Sequence, residues 1–371
     1  MKEGYDKIYI NRIDKLLEKT SAMQYALFAN TGKKVSRIGY GAMGLGGAFG
    51  AFDAKEGIRS ILTFLDQGGN FIDTARHYGN SEEIIGKALK HWKGEQPFIA
   101  TKIQSHGPDN TRWAIPEKVE TVFPKHLIRQ NVETSLKLLG VDFVDNLQLH
   151  LYWPNWGTSG YWLDELLTLK QEGKVGSIGV SLPDCRADVG LPLIMSGHID
   201  SVQLIYNLFD PTALDCVIPI CQLHQVAVIA RCVMDEGGLS GFLTEDIPFE
   251  TQDFRKTFFD EVPRSIYIER INELRKYIPE HAASLAKLAL KFVLKDAGIT
   301  TAISSMHIEK FAQENIEAAD EKELSDEVFY ELRTKHRWIR NFYTKKYWMK
   351  NDLDMANEAE KIKNLPKKTF T

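Results

Sequence analysis

Four side chains that can handle a proton stand at the ends of short apolar runs. Asp73 closes the run that begins at Phe71, with Tyr78 just beyond it; Lys102 follows Phe98–Thr101, and His150 follows Leu147–Leu149. In a parallel α/β sheet or barrel, the C-terminal strand ends carry the chemistry. Each residue alone has an ordinary structural explanation. Asp73 reads as a helix cap where a loop opens, Tyr78 as packing, Lys102 as a lysine snorkelling at a rim and His150 as a hydrogen-bonded core residue. Together they make a working set. Asp73 can hold Lys102 charged, and an ammonium beside Tyr78 favours the tyrosinate and lowers its pKa. Tyr78 can pass a proton to a carbonyl oxygen as it becomes an alcohol, and His150 can hydrogen-bond the same oxygen. Such a set manages one proton and one developing oxyanion. It contains no nucleophile–base pair and no metal ligands, so the electrons must come from a cofactor.

The elements that would position these residues follow a regular alternation. Apolar runs recur at Ile38–Ala42, Phe71–Ala75, Phe98–Ile103, Val144–His150, Gly176–Ser181, Val202–Tyr206, Val226–Cys232 and Thr301–Met306. Helical stretches such as Gly57–Gln67, Ser81–Trp92, Lys125–Leu139, Tyr161–Gly173 and Ala283–Asp296 lie between them. Runs apolar on both faces indicate strands buried between layers, and the repeat predicts a (β/α)₈ TIM barrel. The alternative is a doubly wound sheet, usually announced by GxGxxG after the first strand. Gly39–Gly47 is rich in glycine, but no acidic residue stands at a second strand end about 20 residues on. Residues 1–22 read as an amphipathic helical extension with Ile10, Ile13, Leu16 and Leu17 on one face. Met23–Phe28 and Lys34–Gly39, flanking Asn30–Lys33, read as a hairpin running into the first core strand. Asn80–Glu83 resembles a capping box opening a helix. Residues 104–124 and 236–265 exceed ordinary loop lengths and would lie on the catalytic face. The barrel is assigned to 23–343 and a charged tail to 344–371.

Composition excludes other classes. The chain has 371 residues, 43% of them hydrophobic and 26% charged, with a net charge of −4. No basic field points to nucleic acid, and no run approaches the ~20 apolar residues that span a bilayer. Met1–Asp6 lacks the apolar core of a signal peptide. Cys185, Cys216, Cys221 and Cys232 show no CxxC and no paired framework. They read as reduced thiols of a cytoplasmic protein and do not support a zinc site.

The ordered motifs resemble the aldo-keto reductases over roughly residues 23–343. The resemblance is carried by Met23–Tyr25, Asn30–Gly32, Val35–Gly44, Phe71–Ala75, Tyr78–Glu82, Ile85–Leu89, Ala100–Lys102, Leu138–Asp142, Leu147–His150, Gly173–Val175, Ile178–Ser181, Gln203–Asn207 and Glu314–Asn315. It implies a (β/α)₈ barrel and NAD(P)-dependent interconversion of carbonyl and alcohol. It implies that Tyr78 is the proton donor and that Asp73, Lys102 and His150 complete a catalytic tetrad. It places Gly41, Ala42 and Met43 beside the nicotinamide, with Ser181 and Gln203 holding the carboxamide and Asp73 close by. It wraps Arg231–Gly241, including Val233, Asp235, Gly237 and Leu239, around the pyrophosphate through backbone N–H groups. Ser304, Ser305, Met306, Glu314 and Asn315 would meet the adenosine half.

The cofactor side departs from the family's pattern. Arg231 stands where many members stack a tyrosine on the nicotinamide, and Leu182 where asparagine is common. Ile303–Ser305 replaces Ile-Pro-Gly or Ile-Pro-Lys. Phe311 occupies the place of the basic residue that grips a 2′-phosphate, leaving His307 and Lys310 as substitutes or as solvated residues at a helix start. Loss of a cation there removes charge-assisted hydrogen bonds and shifts weight from NADP(H) to NAD(H).

Trp113, Trp153 and Trp156 are the aromatic candidates for substrate contact, beside Tyr78 and His150. They suit a sugar ring or a flat carbonyl compound, while most aromatics of these loops would serve as anchors. Trp162 reads as helix packing. Three functions fit: a reductase of an aldehyde, ketone or keto-sugar; an NAD-dependent alcohol, sugar or polyol dehydrogenase; and a cofactor-binding regulatory subunit. The expected partner is a small-molecule carbonyl or alcohol, a sugar among the candidates. The sequence leaves the oligomeric state open.

Overall fold

The computed structural model describes residues 23–106, 118–260, 263–320 and 322–338. The expected extension over 1–22, the tail 344–371 and Trp113 lie outside these residues. Two short strands, β1 (Tyr25–Leu27) and β2 (Lys34–Ser36), pair antiparallel as the predicted hairpin. Eight further strands follow: β3 (Ile38–Gly41), β4 (Phe71–Asp73), β5 (Phe98–Ile103), β6 (Val144–Leu149), β7 (Val175–Ser181), β8 (Ser201–Ile205), β9 (Ala227–Arg231) and β10 (Thr301–Ser305). They pair in sequence order, all parallel, and β10 returns to β3 to close the barrel. A closed cylinder leaves no unpaired edge.

The helices follow their apolar periodicity. In Ala54–Asp66 the buried positions Gly57, Ile61, Phe64 and Leu65 recur at helical spacing, and Asp53 caps the start by accepting from the Lys55 N–H. In Lys125–Leu139, Ile128, Val132, Leu136 and Leu139 face inward. Gly140, with φ of +69°, ends that helix by donating to the Leu136 carbonyl. Asn80 makes no side-chain cap at Ser81–His91. The expected capping box is not formed, and Glu83, the acid it would use, pairs with Lys87 one turn on at 2.7 Å. Residues 236–265, expected as one long loop, contain the helix Arg255–Asp260. This insertion returns to the segment after β3: Phe254 N–H donates to the Ala48 carbonyl (3.2 Å) and Ala51 N–H to Glu250 (3.2 Å). Cys185, Cys216, Cys221 and Cys232 are free thiols. Among the described residues, no helix is long and apolar enough to cross a membrane.

The hairpin plugs the barrel at its N-terminal end. Phe28, fully buried, lies 4.5 Å from the ring of Phe98 and 6.0 Å from that of Phe71, in a cluster with Val35, Ala227 and Ile229. This apolar floor leaves the opposite end for polar groups. Truncating an enclosed aromatic costs roughly 3–5 kcal/mol. Phe28→Ala is therefore expected to lower the denaturant midpoint by that amount of stability, read from urea unfolding followed by circular dichroism.

Candidate active site

Strand register brings the acid and the amine together. Asp73 on β4 is level with Ala100 on β5, and Lys102 on β5 is level with Gln148 on β6. Side chains alternate along a strand, so Ala100 and Lys102 share the inward face with Asp73. Lys102 is fully buried and its ammonium uses three partners: Asp73 Oδ2 at 2.6 Å, the Thr74 carbonyl at 2.9 Å and Tyr78 Oη at 3.4 Å. The other carboxylate oxygen of Asp73 accepts from Gln203 Nε2 at 2.8 Å and Gln148 Nε2 at 3.5 Å. Asp73 is thus a counter-ion, and its solitary reading as a helix cap is set aside.

Tyr78 is fixed through its backbone. Its N–H donates to the Ala75 carbonyl (3.0 Å) and its carbonyl accepts from Ser81 N–H (2.9 Å). Buried Glu82 pins this loop to β5 by pairing with Arg76 and accepting from Thr101 Oγ1 at 2.7 Å. A Cβ on Gly46 would fall 2.4 Å from the Tyr78 carbonyl oxygen, so the glycine lets the loop after β3 close on this backbone. The His150 ring stands edge-on to Tyr78 with centroids 5.6 Å apart, and His77 meets His150 at 6.1 Å. The structure therefore brings Asp73, Tyr78, Lys102 and His150 to one rim. His77 and Gln148 join them without having been singled out from the sequence. The signal for Gln148 was available, since it precedes His150 by one strand repeat.

The electrostatics differ from the expectation for Tyr78. Burial raises its pKa, Lys102 lowers it, Asp73 raises it, and the net direction is upward. The ammonium acts as expected, but withdrawal of the phenol from water outweighs it. Burial lowers the pKa of Lys102, while Asp73 and then Tyr78 raise it more, so the amine stays charged.

Next to this rim, Ser181 on β7 is level with Gln203 on β8. Arg231 closes β9, donating from Nη2 to the Leu182 carbonyl (3.0 Å) and to Asp184 (2.6 Å). Arg231 Nε and Gln148 Oε1 are buried with no hydrogen-bond partner among the described residues. Orphaned polar atoms of both kinds beside Ser181 and Gln203 fit a polar ring carrying a carboxamide.

The sequence model of the aldo/keto reductase family matches residues 37–337. The chain belongs to this family. It is 31% identical over 292 residues to aldo-keto reductase YhdN of Bacillus subtilis (strain 168), covering 76% of this chain and 84% of that one. It is 27% identical over 297 residues to the NADH-specific methylglyoxal reductase of Escherichia coli (strain K12), covering 76% and 90%. The structure of a glycerol dehydrogenase from Gluconobacter oxydans superposes with a TM-score of 0.68 at 25% identity, over 85% of this chain and 96% of that one. The protein is an NAD(P)-dependent oxidoreductase that interconverts carbonyl and alcohol groups of small molecules.

In this aldo/keto reductase the remaining cofactor candidates divide. Gly41 ends β3 against the Ser304 carbonyl, Ala42 is buried and Met43 is half-buried. The chain after Arg231 is tightly wound, with φ of +54° at Cys232, +45° at Asp235 and +58° at Glu236. Its turns already use the N–H groups of Asp235, Gly237, Leu239 and Gly241, and Val233 and Leu239 point into the core. The expectation that these backbone donors wrap a pyrophosphate is corrected for those amides, because each already donates within the loop. Asp235 also accepts from the Tyr267 hydroxyl at 2.7 Å.

On the adenosine side, Ser304, Met306 and Asn315 are buried, and Ser305 Oγ meets His307 Nδ1 at 3.0 Å. His307 lies among Phe49, Phe52 and Phe311, and burial followed by the charge of Arg255 drives its pKa down to about 4. It is a neutral ring there, so it cannot supply the cation considered for a 2′-phosphate. Lys310 is exposed and pairs with Glu314 one turn on at 3.5 Å.

Trp156 is also reassigned. It is buried against Phe123 at 5.6 Å and Tyr152 at 6.1 Å, and its carbonyl accepts from Trp162 Nε1, so it anchors its loop. Trp153 is half-buried on the same loop and stays a candidate for substrate contact.

A pKa above the ordinary 10.0 keeps Tyr78 protonated through neutral and alkaline pH. For carbonyl reduction, kcat/KM is expected to hold as pH rises, falling only beyond that value, while alcohol oxidation gains as the phenolate forms. Profiles in both directions test this; a reductive decline centred below roughly pH 9 would contradict the upward shift.

Proposed function

We propose that this aldo/keto reductase reduces small aldehydes and ketones with NADH, using Tyr78 as proton donor, His150 to orient the carbonyl and Lys102 with Asp73 to set the local charge. The observation that carries this reading is the position of Lys102 Nζ, in reach of both Asp73 Oδ2 and Tyr78 Oη at the rim that His150 shares. When bound, the dinucleotide supplies the hydride. The residues do the rest. The Tyr78 hydroxyl gives its proton to the carbonyl oxygen, and the Lys102 ammonium stabilises the phenolate left behind. Asp73, tied by Gln203 and Gln148, keeps that ammonium in place. His150 directs the substrate oxygen towards Tyr78, and Trp153 forms one wall of the entrance. Ser181, Gln203 and Arg231 would hold the nicotinamide end.

NADH is favoured over NADPH by the adenosine side. Phe311 stands at the position of the phosphate-gripping base, His307 is a neutral ring, and Lys310 is offset by Glu314. Escherichia coli methylglyoxal reductase, described as NADH-specific, is a relative with the same preference.

Two experiments test these assignments. Tyr78→Phe is expected to abolish turnover, by roughly 10²-fold or more, while cofactor affinity stays within about twofold of wild type. Retained turnover would remove Tyr78 from the proton-donor role. Fluorescence titration is expected to give NADH binding at least about tenfold tighter than NADPH binding, as one lost charge-assisted contact implies. Tighter NADPH binding would overturn the preference.

A further inference from the structure

Arg231 occupies the reaction rim but takes no part in the proton transfer described above. Its guanidinium is held from one side, by Asp184 at 2.6 Å and the Leu182 carbonyl at 3.0 Å, with a weaker contact to Cys232 Sγ at 3.4 Å. The arginine therefore has a fixed direction, and its Nε stays buried without a partner among the described residues. The neighbouring carboxylate Glu236 accepts from Cys232 Sγ at 3.0 Å, and burial pushes its pKa up, towards the neutral acid. Arg231 and Asp184 thus form a second ion pair at this end of the barrel, beside that of Lys102 and Asp73.

The reach of that guanidinium extends to the reacting atoms. Arg231 is level with Ile205 on β8, two residues beyond Gln203, whose amide holds Asp73 at 2.8 Å. It therefore lies on the rim that carries Tyr78, and its charge is among those that pull the Tyr78 phenol down against its burial. A hydride donor must bring its reacting carbon within roughly 3–3.5 Å of the carbonyl carbon, whose oxygen meets Tyr78. Any ring that delivers hydride here lies inside the field that Tyr78 feels. The reduced nicotinamide ring is neutral and the oxidised ring carries a positive charge, so a fixed cation discriminates between them.

We propose that Arg231, balanced by Asp184, sets the relative affinity of this site for the two redox forms of the dinucleotide by disfavouring the cationic oxidised ring. This rests on the reading of the Tyr78 rim as the hydride-transfer site. Arg231 is a positioning and charge-setting residue that favours holding the reduced form and releasing the oxidised one. Asp184 tempers that bias.

The test is the ratio of dissociation constants, Kd(NAD⁺)/Kd(NADH), measured by calorimetry on the full chain without substrate. Arg231→Gln leaves Asp184 facing the site without its guanidinium and is expected to lower the ratio by about tenfold. Asp184→Asn leaves the guanidinium unbalanced and is expected to raise it. Arg231→Lys keeps the charge and should hold the ratio near wild type. Equal weakening of both forms in Arg231→Gln, or an unmoved ratio in Asp184→Asn, would make Arg231 merely structural and overturn the proposal. If Arg231→Gln does not fold, the Asp184→Asn ratio decides alone. Failure of the wild-type chain to bind either form is a different result, and overturns the site assignment itself.

Discussion

Lys102 lies inside the barrel with no exposure to solvent, and the rim depends on its staying charged there. An isolated ammonium in that position would be driven to lose its proton. The 2.6 Å contact to Asp73 and the Thr74 carbonyl prevent this. Asp73 in turn is held by two glutamines, Gln148 two strands along on β6 and Gln203 directly across the barrel on β8. A buried ion pair adds little net stability, but removal of one partner costs about 3–5 kcal/mol. Its value here is positional, since it fixes a cation 3.4 Å from the oxygen of Tyr78. The phenol is raised by burial and lowered by this cation. That balance favours the protonated phenol.

The fold supplies the rigidity this balance needs. A closed ring of parallel strands fixes the spacing of Asp73, Lys102 and Gln203 without an edge that could slip. Tyr78 lies on a loop, and loops are the mobile parts of barrels. Here the loop is tied down by Arg76, Glu82 and Thr101, and closed over by the backbone at Gly46. Glu82 serves both levels. It lies in the first turn of its helix, where a carboxylate complements the helix dipole, and its buried carboxylate joins the loop to β5.

The barrel and the four rim residues were legible in the sequence because both rest on local pattern. Apolar runs mark the strands to within a residue or two, and the polar residues Asp73, Lys102 and His150 at or near the ends of three of them mark the rim. The hairpin was legible from its turn residues for the same reason. Properties that depend on remote segments were not legible. His307 resembles a solvated residue at a helix start until Phe49 and Phe52, from the segment after β3, close around it. Trp156 resembles a pocket wall until Phe123 packs against it. The net shift of Tyr78 required its burial, which no spacing rule supplies. The amides after Arg231 were expected as donors to a pyrophosphate on the strength of the family resemblance. The turns that consume them include left-handed φ values at Cys232, Asp235 and Glu236, which are uncommon outside glycine and least so for Asp.

Two cations of this rim, the fully buried Lys102 and the half-buried Arg231, are each tied to a carboxylate, and they differ in how completely they are satisfied. The three contacts of Lys102 match the three donors of an ammonium. Nothing remains for a ligand except the charge passed through Tyr78. Arg231 keeps a buried N–H without a partner among the described residues. A saturated cation is a fixed part of the machinery, because any new partner must displace an existing one. An unsaturated buried donor carries a desolvation cost of about 1–3 kcal/mol that a ligand acceptor can relieve. On the proposed reading, the saturation of Lys102 confines it to the proton, and the unpaired Nε of Arg231 suits it to a ligand that binds beside Tyr78.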